Sequence, residues 1–272
     1  MIPKLIASDV DGTFITSSER VTPRLRDVVL RATAAGSHFT LATGRPPRWL
    51  FPVLEQLPLR PICVCANGAV LYDSEADRVL HTRTLSPHVM REIVARVDEV
   101  LPVGVAVERA GQSAFDRCDE LFLVSEGFVH AWESEEHGEA DVDTVVSQPA
   151  IKMLLRNHTA SAKEMYAAVR SVVPESIAHV TFSIGEGLLE LSAPNVTKAS
   201  GLEELGNILG VSAEDVIAFG DMANDIEMVR WAGTGVAMGN AIDALKQVAD
   251  EVTTSNDDFG VARVLERVYG QS

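Results

Sequence analysis

A chain of 272 residues is long enough for one large domain or for two modest ones with separate cores. Its composition, 46% hydrophobic with 6% aromatic residues, suits an α/β protein and excludes a disordered chain. Twenty-three Lys and Arg against 39 Asp and Glu leave a net charge of −16, a field that repels nucleic acid and anionic membranes, so a phosphate ligand needs a local positive site. No apolar run approaches a membrane span and the N-terminus MIPKLIASDV lacks a signal-peptide pattern, so a cytoplasmic location with no membrane partner is expected. Cys63, Cys65 and Cys118 make an odd number, which argues against a disulfide framework, and ICVCA reads as a buried strand rather than as metal ligands.

In chain order, Leu5 and Ile6 open a strand that runs into Ala7–Thr13, ASDVDGT. The period of two along a strand would send Asp9 and Asp11 to one side, and Gly12 permits a sharp turn with exposed amides. Thr22 followed by Pro23 reads as the start of a helix that Gly36 ends, with Leu25, Val28, Val29 and Ala32 as its buried stripe. Phe39–Ala42 is a second strand, ending at Thr43-Gly44-Arg45; a helix at Arg48–Leu57 and a third strand at Ile62–Ala66 follow. This alternation predicts right-handed βαβ units and a parallel sheet whose ligands gather at the carboxyl ends of the strands.

The pattern then changes. Val70–Tyr72 and Val79–Thr82 resemble a hairpin, Ser86-Pro87 starts a helix through Val100, and strand candidates come at Val103–Val107, Ile151–Leu155 and Val180–Ile184 with a helix at Ala162–Val172. The acidic stretch Glu133–Asp143 reads as a solvated loop face. Parallel-sheet grammar resumes after Pro194: a helix over Lys198–Leu209 stopped by Gly210, a strand at Val216–Phe219, GDMAND, a helix through Trp231, a strand at Gly235–Met238, and later elements closing with a helix at Gly260–Val268. The predicted fold class is therefore α/β, a doubly wound, Rossmann-like parallel-sheet core built from residues 1–84 and 192–272, with an inserted α/β module at 85–191.

Asp9, Asp11 and Asp221 all fall at predicted strand ends, and Asn224 and Asp225 begin the next helix, whose free amides attract anions. Hard oxygen ligands of this kind suit magnesium. Lys198, at a helix N-terminus where the dipole disfavours a cation, calls for compensation by a phosphoryl group and Asp225. Thr43 and Gly44 offer a hydroxyl and an unhindered amide to phosphate oxygens. Each feature alone also fits a capping acid, an exposed lysine or a plain turn.

Together, DVDGT at Asp9, LATGR with Thr43, Lys198 and GDMANDIEM from Gly220 resemble the four ordered motifs of the haloacid dehalogenase superfamily of phosphohydrolases, and VIAFGDMANDIEM followed by AGTGVAMGNA resembles its Cof-type branch, with an inserted cap of type IIB. The resemblance implies Asp9 as the nucleophile that forms an aspartyl-phosphate and Asp11 as general acid and base. It further implies Mg2+ held by Asp9, the Asp11 backbone carbonyl and Asp221, with Asp225 behind them, and phosphoryl contacts from Thr43, Gly44, Lys198 and Asn224. Asn67 and Arg45 also match the branch pattern. The implied function is hydrolysis of a small phosphorylated metabolite, a sugar phosphate first, by a monomer or small homo-oligomer with no nucleic-acid partner. A sugar phosphomutase and a non-catalytic phosphate-sensing module are the alternatives.

Overall fold

The structure, a computed structural model, describes residues 2–128, 136–182 and 187–270. It divides into two compact units, Met1–Arg78 with Thr197–Ser272, and Val79–Val196, and the expected insert at 85–191 lies within the second.

The first unit begins with β1 (Leu5–Ser8), α1 (Pro23–Ala34), β2 (His38–Leu41), α2 (Pro47–Leu54), β3 (Ile62–Cys65) and β4 (Val70–Asp73). Thr22 caps α1, its hydroxyl accepting from the Leu25 N–H at 3.3 Å, and Leu25, Val28, Val29 and Ala32 are buried as their helical spacing predicts. Strand β3 differs from the expectation. It pairs antiparallel with β4 along its whole length, because the chain reverses tightly at Ala66–Gly68, and it joins β2 through a parallel Ala42–Val64 bridge and a hydrogen bond from the Thr40 hydroxyl to the Ile62 carbonyl.

The second unit holds β5 (Arg78–Thr82), α3 (Pro87–Asp98), β6 (Gly104–Arg109), α4 (Cys118–Leu121), β7 (Phe122–Val124), β8 (Gly138–Glu139), α5 (Val142–Val145), β9 (Ala150–Arg156), α6 (Ala162–Val172), β10 (His179–Thr181) and β11 (Leu188–Ser192). Six of its strands form one sheet in the order β10-β11-β9-β6-β7-β8, antiparallel except for β7 with β8. Met90, Ile93 and Val97 of α3 and Met165 and Val169 of α6 pack on Val105, Val107, Met153, Leu155, Leu189 and Leu191 of the sheet. Ser161 and Glu164 form a capping box at the start of α6. Of the acidic stretch, Glu133 and Glu135 lie outside the described residues, as do residues 183 and 184 of the expected fourth strand; Asp141 caps α5, accepting from the Thr144 N–H at 2.8 Å.

The first unit resumes with α7 (Lys198–Leu209), β12 (Val216–Gly220), α8 (Ile226–Trp231), β13 (Thr234–Ala237), α9 (Asp243–Lys246), β14 (Glu251–Val252) and α10 (Gly260–Tyr269). Five parallel strands run β14-β13-β12-β1-β2, with Ser8 in register with both Phe219 and Leu41. Strands β1, β12 and β2 thus end side by side, and the segments that follow them, 9–14, 221–225 and 42–45, emerge at one edge of the sheet. Leu5, Ala7, Val216 and Ala218 from the sheet and Leu202, Leu205 and Met228 from α7 and α8 form the core beneath that edge. Each of the Leu, Val and Met side chains among them is worth about 1.5–3 kcal/mol on burial, which fixes the strand ends relative to one another. Among the described residues no helix is long and apolar enough to cross a membrane.

Candidate active site

Strand β1 stops at Ser8, so the two-residue alternation expected to carry Asp9 and Asp11 to the same side does not extend to them. Val10–Phe14 instead forms a kinked turn, closed by the Ile15 N–H to the Val10 carbonyl at 3.1 Å, in which Gly12 adopts φ +74°, and a side chain at that position would collide with the Asp221 carboxylate. The two acids meet different cations. Asp9, 5% exposed, accepts from Lys198 Nζ at 2.5 Å, whereas Asp11, its side chain 56% exposed, takes a two-pronged hydrogen bond from Arg45, Nε to Oδ2 at 2.9 Å and Nη2 to Oδ1 at 2.5 Å.

Lys198 is fully buried at the start of α7 and donates to Asp225 Oδ1 at 2.7 Å as well as to Asp9. Its compensation at the helix N-terminus is therefore built into the protein. Asp225, also fully buried, uses its other oxygen to accept from the Asp221 and Met222 N–H groups, each at 3.0 Å, and so ties the turn after β12 to the lysine. Asp221 Oδ1 accepts from the Thr13 hydroxyl at 2.9 Å, joining the turn after β12 to the turn after β1.

The third strand-end loop is placed by strain. Ala66 and Asn67 both lie in the left-handed region, at φ 50° and 55°, which non-glycine residues occupy at a cost of about 1–3 kcal/mol each. Their N–H groups donate to the carbonyls of Arg45 and Thr43, both at 2.9 Å, and Asn67 Oδ1 accepts from Asn224 Nδ2 at 3.0 Å. Gly68, at φ +95°, packs its bare Cα against the Thr197 carbonyl where any Cβ would clash, which brings this loop to the start of α7. Thr43 is buried and its hydroxyl accepts from the Arg45 N–H at 3.0 Å; Gly44 follows it in the same loop, half-buried.

The electrostatics are unbalanced. Four carboxylates, Asp9, Asp11, Asp221 and Asp225, face two cations, Lys198 and Arg45, leaving two formal negative charges in a largely buried cluster. Burial, reinforced by Asp225, pushes the Asp221 carboxylate up to about 6, against the Thr13 hydrogen bond and Lys198. Burial likewise drives Asp9 well above the usual range; Lys198 opposes this, and Asp225, Asp221 and Asp11 add to it. Burial would lower the Lys198 ammonium, but Asp225 and Asp9 outweigh it and hold the lysine charged.

Oxygens of Asp9, Asp221 and Asp225 lie within 4.8 Å of one another. This all-carboxylate donor set and its two uncompensated charges fit a hard divalent cation. Both oxygens of Asp225 are already engaged, so Asp9 and Asp221 are the carboxylates suited to direct ligation, with Asp225 fixing the turn behind them. The Asp11 side chain is turned to Arg45 and stands outside that cluster.

Sequence reading placed Thr13 and Asn67 near the site without roles; the structure gives them the two links that hold Asp221 and Asn224. It missed Asn240, whose Nδ2 donates to the Gly12 carbonyl at 2.8 Å and braces the turn after β1; its only signal is a position just beyond a strand end, shared by many loop residues. Cys63 and Cys65 are buried in β3, as expected of strand residues, and burial pushes the Cys63 thiol up to about 12.

Residues 6–265 match the family of haloacid dehalogenase-like hydrolases. The chain is 30% identical over 276 residues to the 5-amino-6-(5-phospho-D-ribitylamino)uracil phosphatase of Bacillus subtilis (strain 168), covering 98% of each chain. It is 27% identical over 288 residues to the pyridoxal phosphate phosphatase of Escherichia coli (strain K12), covering 97% of this chain and 98% of that one. Among solved structures, a haloalkanoate-superfamily phosphatase from Bacteroides thetaiotaomicron superposes with a TM-score of 0.81 over 98% of this chain and 95% of its own at 21% identity, and a subclass IIB sugar phosphatase does so with a TM-score of 0.78 over 97% and 98% at 21% identity. The carboxylate cluster at the strand ends and these full-length likenesses lead to one conclusion: the chain belongs to the haloacid dehalogenase-like hydrolases, as a phosphoric monoester hydrolase of the Cof-type branch.

Proposed function

We propose that the protein is a Mg2+-dependent phosphatase that hydrolyses a small phosphorylated metabolite, a sugar or sugar-alcohol phosphate first, through an aspartyl-phosphate on Asp9. The observation that carries this reading is the buried Asp9–Lys198–Asp225 chain beside Asp221, which leaves two negative charges for a cation at the place where a phosphate dianion would otherwise be repelled. Asp9 and Asp221, with the Asp11 backbone carbonyl, would hold the ion. When bound, it supplies charge neutralisation at the phosphoryl oxygens.

The chain's own residues account for the rest. The Asp9 carboxylate attacks phosphorus as the bond to the leaving oxygen breaks, and Asp11 delivers a proton to that oxygen. Water then attacks the phosphoryl group, Asp11 takes its proton, and inorganic phosphate leaves as the Asp9 carboxylate is restored. Lys198 and the Thr43–Gly44 loop offset charge on the phosphoryl oxygens, with Asn224 orienting the site. Arg45 holds Asp11 ready beside the nucleophile turn; its grip must open for Asp11 to carry a proton.

The motif residues recognise a phosphoryl group and a metal and nothing of the leaving group, so we assign substrate choice to the Val79–Val196 unit. The relatives' substrates, a phosphorylated ribitylamino uracil and pyridoxal phosphate, support a small monophosphate. A screen of phosphorylated metabolites with Mg2+, measuring free phosphate and isomerised product together, tests the reading. Phosphate release that stops on chelation and returns with Mg2+ supports it; isomerised product without net phosphate would establish the phosphomutase instead.

A further inference from the structure

The second unit contains a cavity of about 680 Å3 walled entirely by its own residues, among them Thr84, Arg109, Leu121, Leu123, Gln148 and Pro149. None belongs to the motifs of the active site. That volume is in the range of small-molecule sites, roughly 300–1,000 Å3.

Arg109 is set into the wall by an irregularity of the sheet. Along β6 and β9, Glu108 is in register with Lys152, but Arg109 is in register with Ala150, so Ile151 is an extra residue. Such bulges bend a strand and redirect its side chains, and they recur beside binding sites. Ala150, opposite Arg109, also exchanges hydrogen bonds with Leu85, at 2.8 and 3.1 Å, so the bulge sits against the segment that includes Thr84.

The guanidinium is poorly compensated where it lies. Nη1 and Nη2 reach the Glu120 and Thr144 carbonyls only at 3.4 Å each, and Nε is buried without a hydrogen-bond partner. Among the described residues no carboxylate pairs with it. The two acids of the cavity wall are both taken by Arg117, whose Nη2 meets Asp119 Oδ2 at 2.5 Å and whose Nη1 meets Glu120 Oε1 at 3.1 Å. Desolvation pulls the Arg109 guanidinium below its ordinary range, with no neighbouring charge to offset it. A partly desolvated cation that pairs with no carboxylate among the described residues of a chain of net charge −16 has the chemistry of an anion site. Leu121, Leu123 and Pro149 add an apolar wall, and Gln148 and Thr84 add neutral polar groups.

We propose that this cavity binds a small organic anion, a carboxylate or a phosphate-type head group on the Arg109 fork with an apolar body against Leu121, Leu123 and Pro149. It is a second ligand site, independent of the reading of the catalytic cluster.

Calorimetric titration of the full chain with phenylacetate and with phenylphosphonate, and with uncharged phenylacetamide as control, tests it. At least one anionic probe should bind with a Kd of about 10 mM or tighter and the amide should not; the arm that binds identifies the head group. Affinity should fall by about tenfold or more in Arg109→Leu and in Gln148→Trp, which fills the cavity without touching the arginine, and should be partly kept in Arg109→Lys. No binding of either probe to the wild type overturns the proposal. So does binding that persists unchanged in a folded Arg109→Leu, which would place the anion at the catalytic cluster; if that variant does not fold, unchanged binding in Gln148→Trp has the same meaning.

Discussion

Each unit of the protein buries one lysine against carboxylates, and the two arrangements serve different ends. Lys198, fully buried at the start of α7, joins Asp9 and Asp225 of two strand-end segments, and Asp225 in turn holds two backbone N–H groups. Lys152, 8% exposed, lies within β9, bonded to Glu190 of β11 and in register with the buried Glu108 of β6. Its surroundings are a regular ladder of strands, β6, β9 and β11. Around Lys198 the turns themselves are fastened by the charges, and an excess of negative charge is left for a ligand. Burial of an ion pair does not mark function; what marks it is a charge cluster that holds irregular backbone in place and stays unbalanced.

The largest expected effect separates the two lysine sites by turnover. Asp9→Asn should lower phosphate release by about 10,000-fold or more with the circular-dichroism spectrum unchanged, because it removes the proposed nucleophile and leaves the fold. Lys152→Met, assayed in parallel under conditions where it remains folded, should stay within about tenfold of wild type. Equal losses in both would erase the contrast.

A second comparison lies within the turn after β1. Asp11→Asn should cost a factor of about 100 to 10,000 in kcat, the range for losing proton transfer, while Mg2+ affinity by calorimetry changes little, since the Asp11 carboxylate stands outside the Asp9–Asp221–Asp225 cluster. Loss of Mg2+ binding in this variant would make Asp11 a side-chain ligand.

The third is read in stability. Lys152→Met leaves Glu190 buried without its lysine, and breaking a buried pair costs about 3–5 kcal/mol, measurable by urea denaturation. Adding Glu190→Gln should recover most of the loss. Were the single variant as stable as wild type, the pair in the second unit would be incidental.

Legibility in the sequence followed the same division. In the first unit, function sits where strands end, and strand ends were readable from apolar runs stopping at DVDGT, ATGR and GDMAND; helices α1 and α7 were readable from Thr22-Pro23 and from Gly210, which lies in the left-handed region at φ +68°. What failed there was local geometry: Gly12 turns the chain before alternation can place Asp11, and Ala66–Gly68 reverses the chain after β3 so that β4 pairs antiparallel with it. In the second unit β11 went unread because Glu190 interrupts LLELS with a charge whose partner Lys152 lies 38 residues away in sequence. β7 was missed because three residues, FLV, are too short for a period of two to register. Arg45 was visible as part of LATGR, but its hold on Asp11 depends on a contact 34 residues apart in sequence.

The smallest effect concerns how the unbalanced cluster responds to pH. The Asp221 carboxylate is pushed from its ordinary 3.8 up to about 6 in the folded protein, by burial first and Asp225 next. Between those values the folded protein holds a proton at Asp221 that the unfolded chain has released. Stability therefore falls as pH rises through that window, instead of rising as it does for a salt-bridged acid whose pKa is depressed. The contribution is fully present below about pH 4 and lost above about pH 6, with a ceiling of a few kcal/mol at about 1.4 kcal/mol per pH unit. In chelator, the Tm of the wild type should accordingly drop over this range relative to Asp221→Asn, in which the residue cannot ionise. If the proposed Mg2+ site is correct, adding the ion at about pH 7 should raise the wild-type Tm, since a cation supplies the charge that the proton supplied at low pH, and its effect should shrink towards about pH 4, where protonation competes with it. Parallel pH slopes for the two proteins in chelator would show that Asp221 does not carry the imbalance, and would move the burden to Asp9, whose carboxylate burial drives up in the same direction.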